Sequence, residues 1–413
     1  MIPLEVVQAA ILGAVEPLTP AAVDLADARG LVLAERVTAP EAVPPFPNTA
    51  MDGYAVRAVD TVGASEESPL RLRVVGELPA GRAPTVPVAV GEAIRIMTGA
   101  PMPDGADAIV MVERTQRILG DAGDDAVLIS LAVDEGQHVR RAGGDLEAGD
   151  LVFEPGATLT PARIGVLATV DARRVSAYPR ARVGVLSTGD ELVESGPLAP
   201  GKIRDSNRPM LLAMLADAGV DAIDLGTARD DEALMTATLA DAIDRCDAVI
   251  TSGGVSVGDF DYVSDALERI AAGDASRGSR VDWYQVAIKP AKPLCFATVL
   301  GTPVFGLPGN PVSSFVSFEL FARPALRQMM GHRQLFRREV VATAAESMPR
   351  RVDGKLHLNR VEVRVVEGRY EAIGVRSQES NALAASAGAN GLARLPDGEG
   401  VAAGADVTVM LLD

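Results

Sequence analysis

The spacing of hydrophobic positions changes character along the chain. Residues 3–37 open with helical spacing, in which Val6, Val7, Ala10, Ile11 and Ala14 recur at intervals of three and four, and a short apolar run follows at 31–33. Four prolines, Pro40, Pro44, Pro45 and Pro47, then interrupt the chain. Each lacks an N–H and fixes its own φ, which predicts a stiff connector. From 48 to 137 the pattern becomes short alternating runs such as Leu70-Arg71-Leu72-Arg73-Val74-Val75, separated by Gly and Pro turns. That alternation predicts a small, mostly β domain. Residues 138–177 are mixed and are expected to pack back on the first segment.

From Arg180 the rhythm is that of strands alternating with helices. Apolar strands are predicted at 183–186, 222–225 and 248–250, and helices at 210–218, 232–243 and 262–270. Further strands are predicted at 281–288, 293–299 and 304–307, followed by a helix over 313–329. This order predicts a doubly wound parallel sheet with helices on both faces and ligands at the carboxyl ends of its strands. After Gly331-His332-Arg333 the chain returns to alternating strands, among them 356–366 and 407–412, which predicts a closing β domain of about eighty residues.

Composition narrows the function classes. Lys plus Arg number 39 against 56 Asp plus Glu, a formal net charge of -17, which argues against nucleic acid and anionic membrane surfaces as partners. The uncharged run 293–318 is long enough to raise the membrane question, but its glycines and prolines predict buried strands joined by turns. Without a basic, then apolar leader at Met1, the cytoplasm is the expected location. Cys246 and Cys295 have no Cys-x-x-Cys partner and no nearby His, so neither a disulfide framework nor a zinc site is supported. His138, His332 and His357 are scattered singly.

The loops after the strands carry the candidate chemistry. Ser187-Thr188-Gly189-Asp190-Glu191 places two adjacent carboxylates beside small residues, suited either to a cation or to a helix N-cap. Gly226-Thr227-Ala228-Arg229-Asp230-Asp231 is again acidic, with a capped helix as the plainer alternative. The run from Thr251 to Tyr262 contains Ser252, Gly253, Gly254, Ser256, Gly258, Asp259 and Asp261. Its amides and hydroxyls are those of a phosphate-wrapping loop, though no Gly-Lys-Ser/Thr of a P-loop follows. Lys289-Pro290-Ala291-Lys292-Pro293 suits two cations fixed by prolines toward a charged ligand, with a solvated charged turn as the plainer alternative, and Leu307-Pro308-Gly309-Asn310-Pro311-Val312-Ser313 is another small-residue loop. Carboxylates, lysines and glycine loops on one sheet edge suit a phosphorylated ligand with a hard cation such as Mg²⁺.

Taken as a set, these motifs, with Asn48-Thr49-Ala50-Met51-Asp52-Gly53-Tyr54 and Arg95-Ile96-Met97-Thr98-Gly99-Ala100-Pro101, resemble the molybdopterin molybdenumtransferase (MoeA) family, related to the C-terminal region of gephyrin. The resemblance runs nearly end to end. It implies a multidomain α/β plus β protein: a segmented N-terminal domain (1–47 and 138–178), an inserted β domain (48–137), a doubly wound molybdopterin-binding α/β domain (179–331) and a C-terminal β barrel (332–413). It further implies a homodimer with sites built across the interface, and insertion of molybdate, the substrate, into adenylylated molybdopterin with Mg²⁺ present and AMP released. An adenylyltransferase would supply that substrate.

By the same resemblance Asp52, Thr98, Asp145, Asp190, Glu191, Asp261 and Lys289 are expected to be catalytic, and Asp230 and Asp261 to ligate Mg²⁺. Binding of the substrate is expected from Ser252, Gly253, Gly254, Ser256, Gly258, Lys292 and Pro293, and from Gly309, Asn310, Ser313, Arg360 and Ser380. Molybdate is a tetrahedral dianion, so it calls for hydrogen-bond donors and positive charge. Departures from the family pattern are Gln285 in place of a frequent Lys, Ala291 in place of Gly, and Gly144 in place of Glu. The inserted β domain and the Asp52 motif favour the insertase over a related adenylyltransferase, and the retained acidic and lysine motifs favour an enzyme over a gephyrin-like scaffold.

Overall fold

A computed structural model describes residues 1–119, 125–229, 231–254, 262–273 and 279–412. The chain forms two compact units, one of Met1–Ala34, Pro155–Thr160 and Val175–Asp413, the other of Glu35–Glu154 and Pro161–Arg174. Among the described residues no helix is long and apolar enough to cross a membrane.

The second unit is built on a six-stranded sheet in the order Ala108–Met111, Gly53–Val56, Glu92–Ile96, Leu70–Leu78, Ala126–Ile129, Thr115–Ile118. Alternation works here as predicted: Leu72 is buried while Arg71 and Arg73 are exposed. Both faces are covered, since Tyr54 and Val56 join one apolar cluster and Ala55 between them joins another. Asn48–Thr49 pairs with Val139–Arg140, so the chain enters and leaves this sheet at one place.

In the first unit the helix Leu4–Leu12 buries Leu4, Val7 and Ile11, a different stripe from the one expected, since Val6, Ala10 and Ala14 are exposed. The central sheet is built from β1 (Arg182–Thr188), β2 (Asp221–Ala228), β3 (Ala248–Ser252), β4 (Arg280–Gln285), β6 (Pro293–Val299) and β7 (Thr302–Leu307), in the order β2-β1-β3-β7-β6-β4. Helices α1 (Asn207–Asp217), α2 (Glu232–Arg245), α3 (Tyr262–Ala272) and α4 (Pro311–Ser317) flank it. Val183, Val185, Ala248 and Ile250 pack on one side with Leu211 and Leu215 of α1, while Leu186 and Val249 pack on the other with Leu239 of α2 and Leu267 of α3. Each fully buried leucine stabilises the fold by roughly 1.5–3 kcal/mol.

The sheet is doubly wound but mixed, not wholly parallel. β1, β2, β3 and β7 are parallel, and β6 runs antiparallel to both β7 and β4. The reason is local: only Leu300 and Gly301 separate β6 from β7, and both have positive φ, 54° and 89°. Such a connection makes a hairpin, whereas parallel neighbours need a crossover of a dozen residues or more. Because β4 and β7 both oppose β6, the carboxyl ends of β1, β2, β3, β4 and β7 still share one edge. The uncharged run 293–318 is thus this buried hairpin and α4.

Two element boundaries also differ from expectation. The strand predicted over 281–288 is two: β4 ends at Gln285, and β5 (Ile288–Lys289) leaves the sheet to pair with a later strand. The helix predicted over 313–329 begins at Pro311 and is interrupted by one wide turn, Phe318–Ala322, before α5 (Arg323–Met329).

The last strands are β8 (Glu339–Ala344), β9 (Leu356–Val366), β10 (Arg369–Gly374), β11 (Gly391–Leu395) and β12 (Asp406–Leu411). They run β9-β10-β8-β12-β11 and return to β9, a closed five-stranded barrel to which β5 is appended. Val340, Ala342, Val361, Val363, Ala393, Leu395, Val407 and Val409 fill it. Outward-facing Leu358, Leu392 and Met410 join the large cluster of the α/β sheet instead, so barrel and sheet share a core.

Candidate functional site

The site is the carboxyl edge of the mixed sheet. At the end of β1 Ser187 and Thr188 are buried, and Thr188 Oγ1 donates to the Ser252 carbonyl at 3.4 Å. The acidic pair that follows does not cap a helix. Asp190 and Glu191 are exposed in a loop closed by pairing of Leu192–Val193 with Ile203–Arg204, and Lys202 Nζ donates to the Asp190 carbonyl oxygen. After β2 the helix-cap alternative holds for Asp231, whose Oδ1 accepts from Leu234 N at 2.8 Å.

The turn after β3 requires its glycines. Gly253 and Gly254 have φ of 98° and 67°, and a Cβ on Gly253 would lie 2.8 Å from the Thr188 carbonyl oxygen. The Gly253 N–H donates to the Leu307 carbonyl at 3.0 Å, which ties this turn to the end of β7. Asp230, Ser256, Gly258 and Asp261 lie outside the described residues.

Gly309 and Asn310 are exposed at the start of α4, while Ser313 is buried. Two contacts bring the barrel to this point: Val312 N donates to the Ser380 carbonyl at 3.1 Å, and Asn310 Nδ2 to Ser380 Oγ at 3.3 Å. Arg360, on β9, is fully buried. Its Nη2 donates to the carbonyls of Ser377 (2.6 Å) and Glu379 (3.2 Å), while Nε and Nη1 are buried without a partner among the described residues. Burial holds this guanidinium below its ordinary range, with Glu379 opposing weakly.

Lys289 and Lys292 are exposed, and Pro293 starts β6. Their turn is closed by Val286 N donating to the Lys292 carbonyl at 2.8 Å. Pairing of β5 with β9 sets Lys289 opposite His357, whose Nε2 lies 3.2 Å from both carboxylate oxygens of Asp353. Ala291 is buried with φ of 72°.

Asp52, Thr98 and Asp145 belong to the other compact unit. Asp52 Oδ1 accepts from Thr98 N (2.7 Å) and Thr98 Oγ1 (2.6 Å). These two bonds, the hydroxyl's first, hold the carboxylate below its ordinary range although it is fully exposed. Gly53 is the first residue of a strand, where a Cβ would strike the Val110 carbonyl oxygen. Asp145 is exposed, its N–H bonded to the Val43 carbonyl at 2.9 Å.

Two residues at this edge escape a reading of strand-end loops, because both open a helix far along the chain. Asn207 is buried, and its Nδ2 donates to Ser252 Oγ at 2.8 Å and to the Gly309 carbonyl at 2.7 Å. Arg208 bonds Asp224 at 2.6 Å, Asp205 at 3.1 Å and also Glu194. Burial opposes its charge, and the bonds to Asp224 and Asp205 outweigh burial. The only sequence signal was a polar run, Asp205-Ser206-Asn207-Arg208, ahead of a helix.

An edge with closely held glycine turns, buried hydroxyls, two exposed lysines and an arginine with unpaired donors is equipped to bind a multiply charged anion through hydrogen bonds and positive charge. Among the described residues no group of three or more His, Cys, Asp or Glu side chains is set to hold a metal ion.

Comparison with known proteins agrees over the whole chain. Residues 2–170 match the model of the MoeA N-terminal region (domain I and II), 184–328 a probable molybdopterin binding domain, and 343–412 the MoeA C-terminal region (domain IV). Molybdopterin molybdenumtransferase 2 of Mycobacterium tuberculosis is 42% identical over 98% of this chain and 97% of that protein. The molybdopterin molybdenumtransferase of Haemophilus influenzae is 36% identical over 94% and 92%. The crystal structure of the molybdopterin biosynthesis MoeA protein of Pyrococcus horikoshii superimposes with a TM-score of 0.81 at 31% identity, covering 100% of this chain and 99% of that one. The chain belongs to the MoeA family of molybdopterin molybdenumtransferases.

Proposed function

We propose that this chain inserts molybdate into adenylylated molybdopterin with release of AMP, in a Mg²⁺-dependent reaction. The observation that carries this reading is that the loops after β1, β3, β4 and β7 leave one edge of the sheet, with Ser380 of the barrel bonded to Asn310 there. Ser252, Gly253, Gly254, Gly309, Asn310 and Ser313 would hold the substrate's phosphates and pterin, joined by Ser256 and Gly258. Lys289, Lys292, Arg360 and Ser380 would hold molybdate and the phosphoanhydride, their donors and charge matching a tetrahedral dianion. Exposed Lys289 and Lys292 can follow the ligand, and the unpaired donors of Arg360 are already free of water.

Mg²⁺ typically keeps several waters and takes one or two carboxylates plus phosphate oxygens, so a cage of protein ligands is not required. The donor set near the phosphates fits that habit, since Asp190 and Glu191 are exposed carboxylates at the edge. We propose Asp230 and Asp261, outside the described residues, as its ligands. When bound, the ion would neutralise phosphate charge. The four-region division at 47/48, 137/138, 178/179 and 331/332, a homodimer that uses Asp52, Thr98 and Asp145 in its sites, a cytoplasmic location and an adenylyltransferase supplying the substrate belong to the same proposal.

The test is incubation of the protein with adenylylated molybdopterin, Mg²⁺ and molybdate. AMP release that depends on molybdate is expected, and its absence would sink the reading. Competition by tungstate in the same assay measures selectivity between the two oxyanions.

A further inference from the structure

Asn207 contacts two loops of the site at once. It opens α1, is 8% exposed, and divides the two hydrogens of one amide between Ser252 Oγ on the β3 turn (2.8 Å) and the Gly309 carbonyl on the β7 loop (2.7 Å). The orientation of the amide is set by chemistry, because a carbonyl oxygen can only accept and the NH₂ must therefore face Gly309. The other end, Oδ1, is buried with no hydrogen-bond partner among the described residues. A buried unpaired acceptor is costly, so the position is favoured for what its donors do. The loops it joins are close: a Cβ on Gly309 would lie 3.8 Å from Gly253 Cα.

We propose that Asn207 is a positioning residue of the molybdopterin site, fixing the β3 turn against the β7 loop and, by donating to Ser252 Oγ, turning the Ser252 hydroxyl hydrogen toward an oxyanion of the substrate. The inference rests on the function proposed above for its ligand, but the loop coupling does not. A hydroxyl oxygen that already accepts one bond from an amide has its own O–H left to give. In a low-dielectric edge, a donor held in place before the ligand arrives is worth more than one that must be reoriented.

The test uses the full chain and three variants, Asn207→Ala, Ser252→Ala and the double substitution. Equilibrium binding of adenylylated molybdopterin is expected to weaken about tenfold in each single variant, and the double variant to be no more than about twofold weaker than either, the mark of residues acting as one unit. Without ligand, amide exchange at Gly253 and Asn310 is expected to quicken in Asn207→Ala and to remain as in the wild type in a remote control such as Val341→Ala. Losses that multiply in the double variant, wild-type affinity in Ser252→Ala, or unchanged exchange in Asn207→Ala would overturn the proposal. Should Asn207→Ala not fold, the Ser252→Ala affinity decides. Wild-type protein that binds no adenylylated molybdopterin removes the functional reading instead, and leaves the exchange experiment to judge the coupling of the loops.

Discussion

The two cationic regions of the candidate site are prepared in opposite ways. Lys289 and Lys292 stand on an exposed turn, where water solvates them until a ligand arrives. Arg360 is already out of water, gripped through one nitrogen by two carbonyls and left with Nε and Nη1 unpaired. Exposed lysines attract an anion over distance and are screened by salt. A buried guanidinium binds through directed donors, and the fold has met its desolvation cost beforehand. The contrast teaches that charges of one sign can serve capture and orientation separately.

Arg360→Met attacks the buried half and has the largest expected effect. Molybdate-dependent AMP release should fall on the order of 100-fold, the scale for removing a preorganised oxyanion donor. Arg360→Lys should fail to restore it, since an ammonium cannot reproduce the fork. Melting curves check that the barrel survives. If activity persists in Arg360→Met, the buried and exposed cations do not differ as argued.

Lys289→Ala tests the exposed half. The KM for molybdate is expected to rise about tenfold with stability changed by under about 0.5 kcal/mol, as for an exposed side chain. In the wild type, that KM should also climb with ionic strength. A salt-independent KM would contradict a capture role.

Asp52 presents the contrast with the other sign, an exposed carboxylate fixed by two donors from Thr98. Its folded-state pKa is depressed, so the stability it contributes is present above the unfolded value of about 3.9 and is lost as pH falls through the lower folded value. The stability difference between wild type and Asp52→Asn, followed by denaturant titration, should be constant near neutrality and shrink below about pH 4. A difference that grows in acid would refute this.

The smallest effect is expected at Ala291→Gly. Relief of a left-handed alanine, about 1 kcal/mol, is set against loss of a buried methyl worth about 0.8 kcal/mol. The melting temperature should move by no more than about 3 °C. A large shift would mean that the lysine turn depends on this methyl.

Much of the fold was legible because burial imposes period. Alternation marked Leu72 as inward between Arg71 and Arg73, and apolar runs marked β1 and β3. The hairpin of β6 and β7 was not read from the sequence: its strands were expected four residues apart, at 293–299 and 304–307, and the strand and helix rhythm suggested parallel strands throughout, whereas only Leu300 and Gly301 separate them. The break at Gln285 was not legible, because Ile288 and Lys289 join β9 through Leu356 and His357, nearly seventy residues later.

At the site, the sequence by itself determined which residue types gather after the strands: glycines that a close turn demands, hydroxyls, paired carboxylates and two lysines beside prolines. Local sterics and charge act over a few residues, and a motif can record them. Only the tertiary structure decided that Arg360 is buried with unpaired donors, that Ser380 meets Asn310, and that Asn207 spans two loops. Each of these depends on distances between segments remote in the chain, fixed by the shared core of barrel and sheet, and no local pattern encodes them.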